Sequence, residues 1–285
     1  MTRSAAGSDD RPPVPAESSA VRALAALCPL VPLALIPLTL CGCGGESYSK
    51  DLTGNTVPYF ALQRELNANL AGPYEARGIG LRVPASFRFV DPPKPPTDEE
   101  REDEYYQPPP DERQPAYLRR DLPGMRAAWR FAGAPGQPGG ERWLYLLDSR
   151  DLEDDPEEPG LEPAELPFAV TDRFAEAFNV PTPPIESFRP ARYPAAPTNF
   201  APAVNYRVPP EVLVGEIEGT EHTAEVYVHE NRGRHLVLVL VAPTETLTSD
   251  RGLTTARDLM LQTLEVSNAR RSAPARTPSP GGAGF

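Results

Sequence analysis

Cysteine, histidine and methionine are scarce in this chain of 285 residues, with three of each. All three cysteines, Cys28, Cys41 and Cys43, lie within the first 43 residues. The long remainder therefore cannot build the disulfide framework of a small secreted protein, and it offers no cysteine to bind a metal ion. We expect neither an intramolecular disulfide bond nor a metal site.

The three histidines, His222, His229 and His235, lie in one segment without the spacing of a metal site. The zinc-binding pattern His-Glu-x-x-His is absent. The segment predicts a β-hairpin with the four-residue loop 230–233, in which His229 pairs with residue 234 and faces away from His235. His222 would share a face with His235 but lie far from it along the strands. We expect these histidines at strand ends and turn edges.

Signatures of common enzymes are also missing. The chain has no Gly-x-Ser-x-Gly nucleophile turn and no Gly-x-x-x-x-Gly-Lys-Ser/Thr phosphate loop. A formal net charge of −12, from 40 acidic and 28 basic residues, opposes binding of nucleic acid. The acidic runs at 98–104 and 151–158 lack the spacing of a calcium loop. We therefore predict no enzymatic activity, no cofactor and no small-molecule substrate.

An uncharged apolar run covers residues 23–40 and directly follows Arg22. Small residues and two cysteines come after it, at positions 41–45. A basic residue, an apolar run and then small residues are typical of a secretory signal peptide. A retained transmembrane helix is the alternative, because a run of 18 residues is at the short end of what spans a bilayer. Three prolines within the run oppose a long regular helix.

The tetrapeptide Leu40-Cys41-Gly42-Cys43 resembles the lipobox of bacterial lipoproteins. A lipobox has an apolar residue three positions before the lipidated cysteine and a small residue directly before it. The resemblance implies that residues 1–42 are a signal peptide and that Cys43 carries a diacylglycerol. Cys41 is the second choice, because Leu40 would then stand where a small residue is required. An ordinary signal peptide with two incidental cysteines is the alternative to both.

Lipidation at Cys43 implies an exported protein that is held to a bacterial membrane. Two acyl chains suffice for stable anchoring, whereas one chain binds only marginally. Gly44 follows the cysteine, and it is not the aspartate that retains lipoproteins in the inner membrane of enteric bacteria. The resemblance therefore favours the outer membrane.

Composition divides the remaining chain into a tether over 43–55, a single domain over 56–267 and a disordered tail over 268–285. Within the domain, three segments are rich in proline or acidic residues. We expect them to be loops or disordered insertions, because low hydrophobicity and like charge cannot offset the entropy of ordering. These segments are 91–115, 150–167 and 179–210.

The other segments predict an α+β fold, in which an antiparallel sheet of hairpins carries an N-terminal and a C-terminal helix on one face. The first helix is expected to be capped by Thr56, and the last by Thr254 or Thr255. Alternation of apolar residues predicts the elements between them. They are strands at 79–83 and 87–89, a hairpin of 125–132 with 142–147, a helix at 171–178 and a hairpin of 223–229 with 234–242.

Two features of these hairpins are specific enough to test. Trp129 and Trp143 are expected to meet across the first hairpin as a cross-strand pair. The run 236–241 is apolar at every position, which predicts a central strand that is buried on both faces.

The order of elements carries a second resemblance. A strand that ends in Val83-Pro84-Ala85-Ser86-Phe87, a later strong hairpin and a closing helix are similar to the PsbP-like sandwiches of exported and lipid-anchored proteins. This resemblance implies a fold for about 140 residues, the size of an ordinary single domain, and it includes no diagnostic motif.

Together these observations predict a lipid-anchored cell-envelope protein with a non-enzymatic binding or structural role. Its expected partners are the membrane, through the anchor, and an envelope protein. One alternative is a hydrolase of envelope polymers that uses paired carboxylates. Another is an accessory subunit of a secretion or envelope assembly.

Overall fold

The computed structural model describes residues 49–103, 105–107, 109–131, 141–154 and 160–267. The predicted signal peptide, both lipidation candidates (Cys41 and Cys43) and the tail 268–285 lie outside the described residues.

The described residues form an α+β fold with antiparallel sheets, and the predicted fold class is confirmed. In chain order the elements are α1 (Val57–Asn69), β1 (Leu70–Ala76), β2 (Ile79–Pro84), β3 (Phe87–Val90), α2 (Asp98–Glu102), β4 (Met125–Phe131), β5 (Trp143–Asp148), α3 (Leu166–Phe178), β6 (Arg189–Tyr193), β7 (Val204–Val208), β8 (Leu213–Ile217), β9 (Thr220–Asn231), β10 (Arg234–Pro243), α4 (Thr244–Ser249), α5 (Arg251–Gln262) and β11 (Glu265–Val266).

The larger sheet has the strand order β3-β4-β5-β10-β9-β7-β6, and β8 pairs with the first half of β9. β10 lies between β5 and β9, and every residue of β10 except His235 is buried. The predicted central strand at 236–241 is therefore confirmed. Its side chains alternate between two hydrophobic clusters, Leu236, Leu238 and Leu240 in one and the intervening valines in the other.

Each face of the larger sheet is covered by a different layer. α1, α5 and a three-stranded sheet of order β1-β2-β11 pack on the first face, so both terminal helices lie on one side as expected. α3 packs on the second face, where Val170, Phe174 and Phe178 are buried. Burial of both faces explains why β5 and β10 are almost uniformly apolar.

The ends of the terminal helices differ from the sequence expectation. Ser49, the first described residue, already has helical backbone inside the predicted tether, and the helical backbone continues through a π-helical turn at Leu52–Thr56 into α1. Thr56 makes no side-chain capping bond. The cap of α5 is Asp250, whose side chain accepts a hydrogen bond from the backbone N–H of Leu253. An aspartate satisfies a free N–H of the first turn as well as a threonine does, so the sequence offered several equivalent caps.

The prediction of a loop or disordered insertion over 179–210 is wrong for β6 and β7. These strands pair with each other, and β7 continues the larger sheet beside β9. Tyr206 anchors β7 in the core and donates a hydrogen bond from its hydroxyl to the carbonyl of Leu261, at 2.8 Å. Proline and polar residues lower the mean hydropathy of this segment, but β6, which contains Pro190, is the last strand of the sheet, and one side of an edge strand needs no partner.

The other two expected insertions also contain ordered elements. Within 91–115, Thr97 and Glu100 form a reciprocal capping box at the start of α2. Within 150–167, short 3₁₀ turns occur at Ser149–Asp154 and Pro163–Glu165, and α3 begins at Leu166 instead of residue 171. Residues 155–159 lie outside the described part. Pro167 lies in the first turn of α3. Proline costs little stability there, because a backbone N–H at this position would have no partner inside the helix.

The two tryptophans do not form the predicted cross-strand pair. Trp129 is opposite Leu144, whereas Trp143 is opposite Arg130. Because partners differ by one position, the two indole rings lie on opposite faces of the sheet. Trp129 packs edge-to-face on Tyr74 with ring centroids 5.2 Å apart, and Trp143 stacks on Tyr145 at 5.7 Å.

The hairpin β9–β10 forms as predicted, but with a different register. The loop has two residues, Arg232 and Gly233, both with positive φ, so Arg234 pairs with Asn231 and His229 pairs with Leu236. This is the geometry of a tight hairpin turn, whose twist matches that of the strands. His229 and His235 still face opposite sides of the sheet, because the two register assignments differ by an even number of residues.

Candidate binding groove

The residues singled out in the sequence do not locate a binding site within the described part of the structure. Cys43 and Cys41 lie outside the described residues. Among the described residues, no group of three or more histidine, cysteine or acidic side chains could hold a metal ion. His222 and His229 instead contact backbone carbonyls, of Thr220 and Asn205, each at 2.9 Å.

A groove of about 460 Å³ lies on the outer face of the smaller sheet. Its floor comes from β1, β2 and β11, one wall from α1, and the other wall from the segment before β7. Apolar side chains dominate the two walls. The lining residues are Leu62, Gln63, Leu66, Pro73, Glu75, Gly80, Leu81, Arg82, Phe200, Ala201, Pro202, Ala203, Val204, Gln262, Thr263, Leu264 and Glu265.

The register of the smaller sheet selects the residues of the groove floor. Ile79, Leu81 and Val83 point into the core, so the residues between them occupy the outer face. Arg82 on that face is paired with Pro73, and Gly80 is paired with Glu75 on one side and Glu265 on the other. The floor therefore carries one arginine and, further along, two glutamates.

Arg82 holds the end of α1 against the groove floor. Its Nε donates a hydrogen bond to the carbonyl of Ala71 at 3.0 Å, and its Nη2 donates to the carbonyls of Leu70 and Leu66 at 3.3 and 3.4 Å. The carbonyls at the end of a helix carry partial negative charge, so the guanidinium is stabilised there. Thr263 accepts a hydrogen bond from the backbone N–H of Arg82 at 3.0 Å and so ties the chain after α5 to the same strand.

Glu75 and Glu265 flank Gly80 in adjacent strands of the floor. A Cβ atom at Gly80 would lie 3.6 Å from the Cβ of Glu265, so the absence of a side chain leaves room between the two glutamates. Both glutamates are exposed. These two acidic residues of the groove are therefore in contact with solvent. Solvated carboxylates are better suited to binding a polar group of a ligand than to the proton transfer that a desolvated catalytic site performs.

An exposed apolar surface continues from the groove onto the first turns of α1. Tyr59 packs edge-to-face on Phe60, with ring centroids 5.3 Å apart, and on Phe200 at 6.1 Å. We call the side chains of Leu52, Val57, Tyr59 and Phe60 the N-terminal apolar patch. Phe60 is 60% exposed and Val57 56% exposed, which is unusual for side chains of this size.

A cluster of ion pairs lies elsewhere, where β5 ends and β10 begins, and its Arg234–Asp148 pair is buried. Arg234 is bound to Asp148, and Arg126 and Arg77 are both bound to Asp151. Burial lowers the pKa of Arg126, and the neighbouring guanidinium of Arg77 lowers it further. Each aspartate is engaged by an arginine, so this cluster joins strands and does not provide the free carboxylate pair of a hydrolase.

A tyrosine cluster stabilises the side of the larger sheet that faces α5. Tyr193, Tyr206 and Tyr227 pack edge-to-face, with ring centroids about 6 Å apart. Tyr227 donates a hydrogen bond to Glu225, which also accepts one from Arg257 at 2.7 Å. Burial raises the pKa of Tyr206 and Tyr227 well above 10.

Sequence reasoning did not find the groove. Its lining comes from four separate segments, at 62–66, 73–82, 200–204 and 262–265. Each segment reads as part of a helix, strand or proline-rich loop, and none contains a motif. The unusual feature that sequence could have shown is the run 52–63, which has no charged residue in a chain with 24% charged residues.

None of the described helices is long and apolar enough to cross a membrane. No family model matches the chain, and no curated protein matches it in sequence.

Several solved structures share part of the backbone arrangement. A Bacteroides thetaiotaomicron protein has a TM-score of 0.32 and 8% identity over 68% of this chain and 48% of that one, so the chain spans about half its length. LpqN of Mycobacterium tuberculosis, described as involved in cell envelope biogenesis, has a TM-score of 0.32 and 13% identity over 69% of this chain and 90% of LpqN. The cyanobacterial PsbP of Synechocystis sp. PCC 6803 has a TM-score of 0.30 and 11% identity over 70% of this chain and 94% of that one.

A PsbP is among these structures, and PsbP-like proteins are the family that the order of elements resembles. At these scores the likeness is one of backbone arrangement over part of each chain. The function must be inferred from the residues of this chain.

Proposed function

We propose that the protein is an exported, lipid-anchored component of the bacterial cell envelope that binds a protein partner in the groove without catalysing a reaction. The observation that carries the binding role is the groove itself, a concave surface of about 460 Å³ with apolar walls. Concave apolar surfaces with a few convergent polar groups are the usual form of binding sites.

The polar groups of the groove support binding over catalysis. The guanidinium of Arg82 is already engaged by three carbonyls, so it shapes the floor instead of attacking or protonating a ligand. Glu75 and Glu265 are exposed and separated by a glycine, which allows a basic or amide-rich group of the partner to lie between them. An apolar segment of the partner would occupy the space between Leu62 and Val204.

A photocrosslinking experiment tests the binding role. A photoreactive amino acid at Gln63, which lines the groove, should form adducts with one envelope protein in living cells. The same amino acid at Phe168, exposed on α3 at the opposite face, is the matched control and should not. Ala203→Trp fills the groove and should abolish the adduct from Gln63. Equal adducts from both positions, or an adduct that survives Ala203→Trp, contradict the proposal.

The anchor is supported by the lipobox-like residues at 40–43, and it needs its own test. We expect Cys43→Ser to prevent acylation and Cys41→Ser to leave it unchanged, as measured by the intact mass of the purified protein. Acylated wild-type protein should begin at Cys43 and fractionate with the outer membrane. A full-length, acyl-free polypeptide would remove the support for both the anchor and the location.

Hydrolysis of an envelope polymer is the second candidate function, favoured by the arrangement of Glu75 and Glu265. Neighbouring strands are about 4.8 Å apart, so the backbone positions of the two glutamates are about 10 Å apart. From these positions the two side chains can bring their carboxyl groups to the separation of roughly 6.5–9.5 Å that inverting glycosidases use. We expect no hydrolysis of cell-wall polymers by the wild type. Activity that disappears in both Glu75→Gln and Glu265→Gln would establish the hydrolase instead.

A further inference from the structure

The exposed apolar side chains of the described residues are concentrated at the start of the fold. Eight large apolar side chains are exposed, and four of them form the N-terminal apolar patch between residues 52 and 60. Val57 and Phe60 are three residues apart, which places them side by side on α1. Isolated exposed apolar residues are common, but four of them within nine residues of the chain, with two aromatic rings in contact, indicate a surface that binds something apolar.

The patch is also uncharged. Residues 52–63 contain no acidic or basic side chain, although the whole chain has a net charge of −12. A surface with this composition approaches an anionic lipid bilayer without the repulsion that the rest of the protein would meet. Tyrosine and phenylalanine are suited to the membrane interface, because their rings bury in the acyl boundary while the tyrosine hydroxyl stays hydrated.

The position of the patch along the chain brings it close to the proposed anchor. Ser49, the first described residue, is helical and lies six positions after Cys43. Six residues span at most about 21 Å even when fully extended. An acyl group on Cys43 therefore keeps Ser49 within that distance of the bilayer surface, and Val57, the first residue of α1, lies eight helical residues further on, about 12 Å away.

We propose that the N-terminal apolar patch docks on the lipid bilayer, with Phe60 and Val57 inserted at the level of the lipid head groups. This inference rests on the proposed lipid anchor and deepens it, since a tether alone would leave the domain free to rotate. Docking fixes the orientation of the domain. The groove, which begins beside Tyr59 and Phe200, then opens along the membrane surface, and α3 on the opposite face points away from it.

The experiment uses the acylated protein in vesicles of phosphatidylethanolamine and phosphatidylglycerol. Phe60→Cys is labelled with the environment-sensitive fluorophore NBD, and Phe168→Cys on α3 is the matched control. Both positions hold exposed phenylalanines, with 60% and 45% exposure, on opposite faces of the fold. The acylated Cys43 leaves the introduced cysteine as the single free thiol of the processed chain.

We expect the NBD label at residue 60 to shift to shorter wavelength and to lose at least half of its fluorescence when doxyl-labelled lipids are included. The label at residue 168 should show neither change. Val57→Cys, labelled in the same way, should show the same spectral shift and quenching as the label at residue 60. This second variant shows that the result does not depend on replacing Phe60. Unchanged urea midpoints of the labelled variants show that the fold is retained.

Each other outcome overturns the docking. Equal quenching at residues 60 and 168 shows a domain with no preferred orientation, while flotation with the vesicles still supports the anchor. A blue-shifted label at residue 60 that doxyl lipids do not quench shows that protein, such as a second copy of the chain, covers the patch. Failure of the protein to float with vesicles overturns the anchor and the docking together.

Discussion

Arg234 and Asp148 form a buried ion pair that joins the first residue of β10 to the last residue of β5. The Nε of Arg234 donates a hydrogen bond to Oδ1 of Asp148 at 3.0 Å, and its Nη2 donates to Oδ2. Asp148 is fully buried and Arg234 is 3% exposed. Arg234 also donates to the carbonyl of Arg77 at 3.3 Å, so the same side chain ties the larger sheet to the turn between β1 and β2.

Removing one member of this pair should destabilise the fold strongly. We expect Asp148→Ala to lower the free energy of unfolding by about 3 kcal/mol or more, because the guanidinium of Arg234 would remain buried without its carboxylate. Urea unfolding measures the loss. Arg101→Ala, which breaks the exposed pair with Asp98, is the control and should change stability by less than about 0.5 kcal/mol. A similar small effect for both variants would contradict the structural role.

Gly215 allows β8 to approach the end of α3. A Cβ atom at residue 215 would lie 2.6 Å from the Cα of Phe178 and would overlap its side chain. We expect Gly215→Ala to lower the free energy of unfolding by about 1–3 kcal/mol, because strand and helix must separate to admit the methyl group. Gly72→Ala is the matched control, since nothing lies within 4 Å of its Cβ position. Equal thermal midpoints for the two variants would show that β8 does not pack as described.

The buried tyrosines predict unfolding at alkaline pH. Burial raises the pKa of Tyr145, Tyr206 and Tyr227 well above 10 in the folded protein. Above pH 10 the unfolded chain releases these protons while the folded chain keeps them, so stability is complete below that pH and falls as the pH rises. Each tyrosine contributes about 1.4 kcal/mol per pH unit.

Urea unfolding between pH 8 and pH 11.5 measures this slope, and absorbance at 295 nm reports tyrosine ionisation. We expect the absorbance of the buried rings to rise only with loss of the folded state. Tyr206→Phe should make the slope shallower by the contribution of one tyrosine. Ionisation of all ten tyrosines without loss of helical circular dichroism would contradict the described burial.

Arg82 should stabilise both α1 and the groove. We expect Arg82→Met to lower the free energy of unfolding by about 1–3 kcal/mol, because three carbonyls where α1 joins β1 lose a charged donor. Hydrogen exchange of the amides in α1 should become faster than in α3. Arg64→Met, at an exposed position of the same helix, controls for loss of positive charge. Equal exchange rates in the two variants would show that Arg82 does not hold the helix.

Much of the fold could be predicted because its elements carry strong local patterns. The run 236–241 is apolar at each position, so it had to be a central strand, and alternation located the strands on either side of it. The failures occurred where a pattern was weak or short. β6 contains Pro190, and both β6 and β7 carry polar residues, so these strands are stabilised by pairing in an already formed sheet and by the burial of Tyr206.

Register was harder to predict than the identity of the elements. Trp129 pairs with Leu144, one position away from Trp143, and the two rings therefore lie on opposite faces of the sheet, in different hydrophobic clusters. The turn Arg232-Gly233 has no asparagine or aspartate to mark it, so the length of that hairpin loop was ambiguous. Strand register depends on which faces become buried, and that is decided by the layers above and below the sheet.

The sequence alone determined the α+β class and the central strand, because each depends on residues that are close together in the chain. The lipobox-like export segment stays a prediction from the sequence. Tertiary structure alone decided the groove and the exposure of Val57 and Phe60. The groove requires four distant segments to meet on the outer face of the smaller sheet. The patch consists of side chains that would read as core residues of a helix, and only the packing of α1 shows that nothing in the described fold covers them.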